Sequence, residues 1–348
     1  MPERARALDA FVTRAGWGRA SRRPLAGDAS FRRYVRLSID DGTVRDGRPH
    51  KRTALVMDAP PPLEDIRPFC RVDRMLLSLG LSAPEILAED TERGFLLLED
   101  WGDNTYTRLL AAGADETALY ALAVDVLIVL RRHPLSPVLS AQLPPYDTRR
   151  LLDEAFLLTD WYWPAIFGRP LSPDARAAYE AAWRGALAPA LTEPRVLTLR
   201  DYHVDNLMRI DGRDGVRACG LLDFQDALAG HPAYDLVSLL QDARRDISPA
   251  LATAMLARYL DALDIPDRDA FTAAFTILGA QRHAKVIGVF ARLCKRDGKT
   301  VYLGHIPRLW RLLETALAHP TLAAVAEWFD AYIPPERRLT LLCESEIS

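Results

Sequence analysis

The hydrophobic period of the chain changes at Trp101, and that change restricts the folds open to it. Before Trp101, short β-type segments alternate with turns. FRRYVRLSI, the charged and glycine-containing DDGTVRDGRPHKR, and TALVMDA read as a hairpin with its tip in the middle segment. Prolines at 60–62 interrupt the pattern. LEDIRPFCRVDRMLLSLG then has helical spacing, with Phe69, Val72, Met75 and Leu76 on one face and Gly80 as a C-terminal cap. APEILAED and GFLLLED complete a small sheet. After Trp101, ADETALYALAVDVLIVLRRH, TRRLLDEAFLLTDWYW and PDARAAYEAAWRGALAPAL repeat every 3.6 residues, and further helices are expected at 234–244, 249–263, 269–293 and 306–318. No fixed-period repeat or low-complexity segment occurs. The expectation is an α+β chain: a sheet-rich lobe over residues 1–99, a connector at 100–103 and a helical lobe over 104–348.

Bulk properties narrow the function classes. The chain of 348 residues has ample length for a core. A formal net charge of -3 gives no general attraction for nucleic acid or anionic membrane, so any basic site must be local. Cys70, Cys219, Cys294 and Cys343 lie far apart without a CxxC pair, which argues against zinc and predicts reduced thiols. MPERARALDAFVTRAGW is charged and amphipathic with no apolar leader core, and no run of about twenty apolar residues follows. A cytoplasmic protein is expected, without nucleic-acid, membrane or obligate protein partners.

The chemistry concentrates in two polar junctions that each follow a strand-like segment. The first, LRDYHVDN, holds Asp201 and Asn206; the second, GLLDFQDA, holds Asp223. Phosphoryl transfer needs an aligned hydroxyl and neutralised phosphate charge rather than covalent work by the protein. Asp201 suits orientation and deprotonation of an acceptor hydroxyl. Asn206 and Asp223 offer hard oxygens to Mg²⁺. Taken singly, each of these residues also fits an Asx turn or a cap; the combination after two strands favours the site.

With these residues the chain resembles the protein-kinase-like small-molecule phosphotransferases, the group of aminoglycoside phosphotransferases and choline kinases. Asp201-x4-Asn206 followed by Asp223-Phe224 is similar to their catalytic loop and metal-binding turn. FLLLEDWGD resembles their inter-lobe hinge, and GHPAYDLVSLL the segment after the metal-binding aspartate. The segments GDASFRRYVRL, VMDAPPP, LLLEDWGDNTY, FQDALAGHPAYDLVSLLQDARRDI and QRHAKVIGVFARLCKRDGK resemble one subgroup. These are the anomeric kinases of bacterial cell-wall recycling, which use ATP to phosphorylate the C1 hydroxyl of N-acetylmuramate and N-acetylglucosamine. The resemblance implies a two-lobed protein-kinase-like fold, with ATP and Mg²⁺ as cofactors and an amino sugar as acceptor. It implies Asp201 as base and Asn206 and Asp223 as metal ligands. Gly27, Asp28, Ala29, Ser30 and Phe31, with Arg32 and Arg33, would form the nucleotide-covering loop. Glu99, Asp100, Trp101 and Gly102 would form the hinge against adenine.

Two departures stand out. Leu199 and Arg200 precede Asp201 where relatives carry histidine. The phosphate-binding lysine expected on the third strand is absent, with Met57 near its place, and Arg32 or Arg33 is a candidate for the missing charge. A kinase of another small alcohol and a catalytically silent nucleotide-binding protein are the alternatives; the metal-hydrolase reading lacks an HExxH or a histidine cluster. On the helical segment from Gln281 to Lys295, Arg282, Lys285 and Arg292 can share a face suited to an acceptor carboxylate, or form a solvated face. His203 is a candidate acceptor contact or a structural hydrogen-bonder. Asp235 is read as a tie between helix start and catalytic loop, and Asp226 as a turn cap. Trp101, Trp161, Tyr162 and Trp163 are either sugar-stacking rings or core, and core is the commoner use.

Overall fold

A computed structural model of the chain describes residues 2–25, 31–45, 48–192 and 195–338. Contacts divide the chain into two compact units, residues 1–116 with 204–226 and residues 117–203 with 227–348. The segment carrying Asn206 and Asp223 therefore packs with the N-terminal residues, although it follows helices of the other unit in sequence.

In the first unit, helix α1 (Pro2–Arg14) precedes strands β1 (Ser21–Pro24), β2 (Arg33–Arg45) and β3 (Arg48–Asp58). Helix α2 (Arg67–Ser78) then leads to β4 (Ile86–Asp90), β5 (Phe95–Glu99) and α3 (Tyr106–Ala111). The five strands make one antiparallel sheet in the order β1-β2-β3-β5-β4. Residues Phe95, Leu96, Leu97 and Leu98 of β5 are all buried, as a continuous apolar run predicts for a strand covered on both faces. Phe11, Val12 and Trp17 pack on Leu37, Ala54, Val56, Phe95 and Leu97. The expected face of α2 holds, with Phe69, Val72, Met75 and Leu76 buried. The expected turn after β2 does not hold at its stated length. Strand structure runs through 41–45 and 48–52, with a register shift between Asp40 and Val44 that lets the ladder continue past residues of poor strand propensity.

Four short strands come later: β6 (Val196–Thr198), β7 (Leu207–Arg209), β8 (Cys219–Leu221) and β9 (Leu228–Gly230). β7 and β8 pair in the first unit, and β6 and β9 in the second, both antiparallel.

The second unit is helical. Its helices are α4 (Glu116–Arg132), α5 (Pro137–Ser140), α6 (Thr148–Leu157), α7 (Trp163–Phe167) and α8 (Pro173–Leu187). α9 (Ala233–Leu240), α10 (Pro249–Asp261), α11 (Arg268–Asp297), α12 (Ile306–Leu317) and α13 (Ala323–Tyr332) follow. α9 stops short of the expected 244. α11 outruns its expected span at both ends, because Asp267 caps its first turn and Gly298, at φ 67°, ends it. TRRLLDEAFLLTDWYW is not one regular helix: a π-helical turn, Leu158–Tyr162, separates α6 from α7. Gly288 of α11 lies where a Cβ would come within 2.2 Å of the Leu157 carbonyl carbon, so only glycine permits this approach. Tyr162 and Trp163 are core residues, their rings among Trp310, Trp328 and Tyr332.

Cys70 and Cys219 are buried and form no disulfide, as the expectation of reduced thiols has it. Cys294 is disulfide-bonded, against the expectation of reduced thiols throughout. Pairing depends on distance in space, which wide sequence separation does not report. Among the described residues no helix is long and apolar enough to cross a membrane.

Candidate functional site

The first unit contains a cleft of about 650 Å³. Arg32, Tyr34 and Arg36 line it from one strand face, Glu99, Trp101 and Gly102 from the hinge segment, and Asn206, Asp223, Gln225 and Asp226 from the β7–β8 region. Asn206 ends a 3₁₀ turn, Val204–Asn206, directly before β7, and Asp223 follows β8 after one intervening residue. Pairing of these strands brings residues seventeen apart in sequence together, with Asn206 Nδ2 donating to Asp223 Oδ2 at 3.4 Å. Gln225 Nε2 donates to the other Asp223 oxygen at 2.8 Å. Asp223 has φ 56°, a conformation a side chain adopts at a cost. One carboxylate beside one carboxamide is a hard-oxygen pair of the kind magnesium uses when phosphate and water complete its shell. The pair lacks the His and Cys donors of a zinc site.

The side chains of residues 99–103 are fixed by two arginines that the sequence reading did not select. Arg36 donates to Asp100 and to the Gly102 carbonyl, both at 2.8 Å, and to Asp103 at 2.9 Å. Arg213 reaches Glu99 at 2.6 Å and Ser82 at 2.9 Å. Trp101 packs its ring on Gly220, where a Cβ would meet it at 2.5 Å, so Trp101 serves this cleft. Phe31 is exposed, and its N–H donates to Glu64 at 3.1 Å. Arg32 lies 3.3 Å from the same carboxylate, and Arg33 is exposed. Gly27, Asp28, Ala29 and Ser30 lie outside the described residues.

In the second unit the loop after β6 is held from beneath. Asp235, in the first turn of α9, accepts the N–H groups of Leu199 at 2.6 Å and Arg200 at 2.8 Å. The expected tie from Asp235 is thereby met. Arg200 takes φ 72°, and Asp201 follows it. Burial pushes the Asp235 carboxyl up to about 7, with the two N–H donors opposing. Burial would also raise Asp201, but Lys285, His203, Arg200 and Arg282 outweigh it and hold its carboxyl below the usual range. Asp201 thus stays ionised while desolvated, which suits a group that must accept a hydrogen bond from a hydroxyl.

The surrounding charges form a balanced network. Glu154 of α6 pairs with Lys285 of α11 at 3.1 Å and with Arg200 at 2.5 Å, and it accepts from the Tyr146 hydroxyl. Lys285 also donates to Tyr234 at 3.3 Å. Desolvation works against the Lys285 ammonium, yet Tyr234 and Glu154 keep it above its ordinary value. Arg282 is buried, bonds Ser238 at 2.8 Å, and has Nη1 with no protein partner. Burial and Arg244 keep His203 below its ordinary value and thus neutral. Arg292, further along α11, has Arg296 and Asp297 as charged neighbours, and burial lowers its pKa. Glu154 carried no readable signal, since RRLLDEAFLL offers Asp153 and Glu154 equally as solvated acids.

Comparisons with known proteins fit this geometry. The sequence pattern of the phosphotransferase enzyme family (APH) matches residues 21–272. The chain is 39% identical to an N-acetylmuramate/N-acetylglucosamine kinase of Caulobacter vibrioides, covering 97% of this chain and 98% of that protein. It is 41% identical to a protein of the same name from Pseudomonas aeruginosa, covering 90% of this chain and 89% of the relative. The GDP complex of aminoglycoside 2'-phosphotransferase-IIIa shares the fold, with a TM-score of 0.58 at 14% identity over 90% of this chain and 98% of that one.

Proposed function

Because the chain belongs to the phosphotransferase enzyme family, we propose that it transfers the γ-phosphoryl group of ATP to the anomeric C1 hydroxyl of N-acetylmuramate, N-acetylglucosamine or both, in reuse of cell-wall sugars in the cytoplasm. The observation that carries the chemistry is the Asn206–Asp223 pair lining the cleft of the first unit. The two relatives named for these sugars support the acceptor.

Adenine lies against residues 99–102, whose turn Arg36 and Arg213 hold rigid; residues 27–30, which the resemblance assigns to the nucleotide-covering loop, lie outside the described residues. Asn206 and Asp223 would hold Mg²⁺, which would supply neutralisation of phosphate charge. Asp201 accepts the hydrogen bond of the C1 hydroxyl, aims its lone pair at γ-phosphorus and takes the proton as the new O–P bond forms and the bond to ADP breaks. A hemiacetal hydroxyl is more acidic than an ordinary alcohol, so a carboxylate held below its usual pKa suffices. Arg200, Arg282 and Lys285 form the electropositive surround that keeps Asp201 ionised and that an acceptor carboxylate would meet, with neutral His203 beside it as a candidate acceptor contact; Arg292 was grouped with them on sequence spacing.

The test is purified full-length protein with ATP, Mg²⁺ and a panel of amino sugars, aminoglycosides and choline, read by ³¹P and ¹³C NMR. Phosphate at C1 of an N-acetyl amino sugar, lost in Asp201→Ala, is the expected result. Phosphate on another atom or another acceptor class overturns the reading.

A further inference from the structure

Among the described residues, two that are not glycine take a positive φ: Arg200 at 72° and Asp223 at 56°. Such a position favours glycine, so an arginine there carries a conformational cost that its surroundings must offset. Asp235 of α9 holds the Arg200 backbone N–H at 2.8 Å. The side chain is held from a different element. Arg200 Nη2 donates to Oε1 of Glu154 on α6 at 2.5 Å, and its guanidinium carbon lies 5.9 Å from the centre of the Tyr146 ring. The other Glu154 oxygen has its own partners: the Tyr146 hydroxyl donates to Oε2, and Lys285 of α11 stands 3.1 Å from it. Tyr146 and Lys285 thus brace the buried carboxylate on one side and fix where its free edge faces Arg200.

We propose that Glu154 is a positioning residue for phosphoryl transfer: through the Arg200 side chain it fixes the turn that sets the direction of Asp201. This rests on the reading above, in which Asp201 takes the proton of the acceptor hydroxyl. A residue gripped only at its N–H can still swing its carbonyl side, and the next residue swings with it. Arg200 is gripped at its N–H by α9 and at its guanidinium by α6, so neither half of the turn moves alone. A glycine would reach the same backbone conformation without strain, but it would give α6 nothing to hold. The charge-assisted bond to Glu154 is what an arginine adds at this position. Alignment at this level matters for rate, since a misplacement of about 1 Å costs on the order of 10²-fold.

The experiment is steady-state kinetics of the full-length protein with ATP, Mg²⁺ and N-acetylmuramate or N-acetylglucosamine, whichever wild type turns over faster. Wild type is set beside Glu154→Gln, Arg200→Met and the double variant. Each single change is expected to lower kcat by ~10–100-fold, as loss of a charge-assisted contact does. The KM for ATP should stay within about twofold of wild type, because the nucleotide cleft is lined by residues of the other compact unit. If Glu154 acts through Arg200, the double variant falls no further than Arg200→Met, within about threefold. A fall under about tenfold in either single variant, or a double variant lower than that threefold margin, overturns the inference. Should Glu154→Gln fail to fold, the double variant, which removes one anion and one cation together, decides by the same ratio to Arg200→Met. Wild type that phosphorylates neither sugar, or Asp201→Ala at wild-type turnover, would instead sink the reading of the reaction, a different failure.

Discussion

Asp235→Asn removes one oxygen from the clamp under the loop at 199–201 and changes little in shape. In the native chain, Asp235 accepts from Leu199 at 2.6 Å and from Arg200 at 2.8 Å. Asparagine keeps one acceptor and turns an NH₂ toward the other backbone N–H. The lost bond is charge-assisted and buried, so its removal costs ~1.5–3 kcal/mol. Arg200 adds to this, since its φ of 72° is a left-handed conformation that costs roughly 1–2 kcal/mol for a side-chain-bearing residue. With half the clamp gone, that strain is released by moving Arg200, and Asp201 moves with it.

A combined bias of about 2.5–5 kcal/mol lowers the population of the aligned loop by roughly 70- to 5000-fold at most. Steady-state kinetics under saturating sugar and ATP should show kcat down by about 10²-fold. The KM for ATP should stay within about twofold of wild type, because the cleft residues belong to the other compact unit. A variant with kcat within threefold of wild type would refute the argument that Asp235 holds a strained loop. A raised KM for ATP with kcat intact would refute it equally.

Three other substitutions test the packing and the charge balance. Gly288→Ala drives a methyl group onto the Leu157 backbone, where the approach is 2.2 Å. The cost should be about 3 kcal/mol or more, seen as a Tm lowered by about 4 °C or more in calorimetry; a Tm within a degree of wild type contradicts it. Asp73 of α2 is 1% exposed, with Oδ1 unpartnered, and burial pushes its carboxyl up to about 7. A raised acid is without penalty below the unfolded pKa near 4 and destabilises increasingly as pH climbs toward 7 and above. The full shift corresponds to ~4 kcal/mol, taken as about 2 kcal/mol after solvent screening. Asp73→Asn should therefore stabilise at pH 8.5 and have almost no effect at about pH 3 in denaturant titrations, and an equal effect at both would be contrary. Glu154→Gln leaves Lys285 and Arg200 buried without their anion, at about 3–5 kcal/mol as for a broken buried pair. Urea unfolding checks this, and a loss under 1 kcal/mol would show that water compensates the cations.

What the sequence made legible depends on whether a residue's meaning is local. Asp201, Asn206 and Asp223 follow short strands, and the backbone after a strand end fixes where the next few side chains go. Residue type and spacing therefore carried the information, and the β7–β8 pairing closed the gap between Asn206 and Asp223. The arginines of FRRYVRLSI mark the opposite case. Strand alternation puts Arg32, Tyr34 and Arg36 on one face and Arg33 on the other, and that much is readable. Which of Arg32 and Arg36 serves the hinge is decided by Asp100, Asp103 and Glu64, whose approach is set by tertiary packing. Glu154 was hidden for the same reason: an acid on an amphipathic helix reads as solvated until a lysine from α11 arrives beside it. The π-helical turn has its cause in Gly288, whose missing side chain allows the α6 end to approach α11 closely enough to break the regular helix. Each residue misread or overlooked is one whose partner lies on another element, so the sequence offered the candidate donors and acceptors but not the charges that surround them.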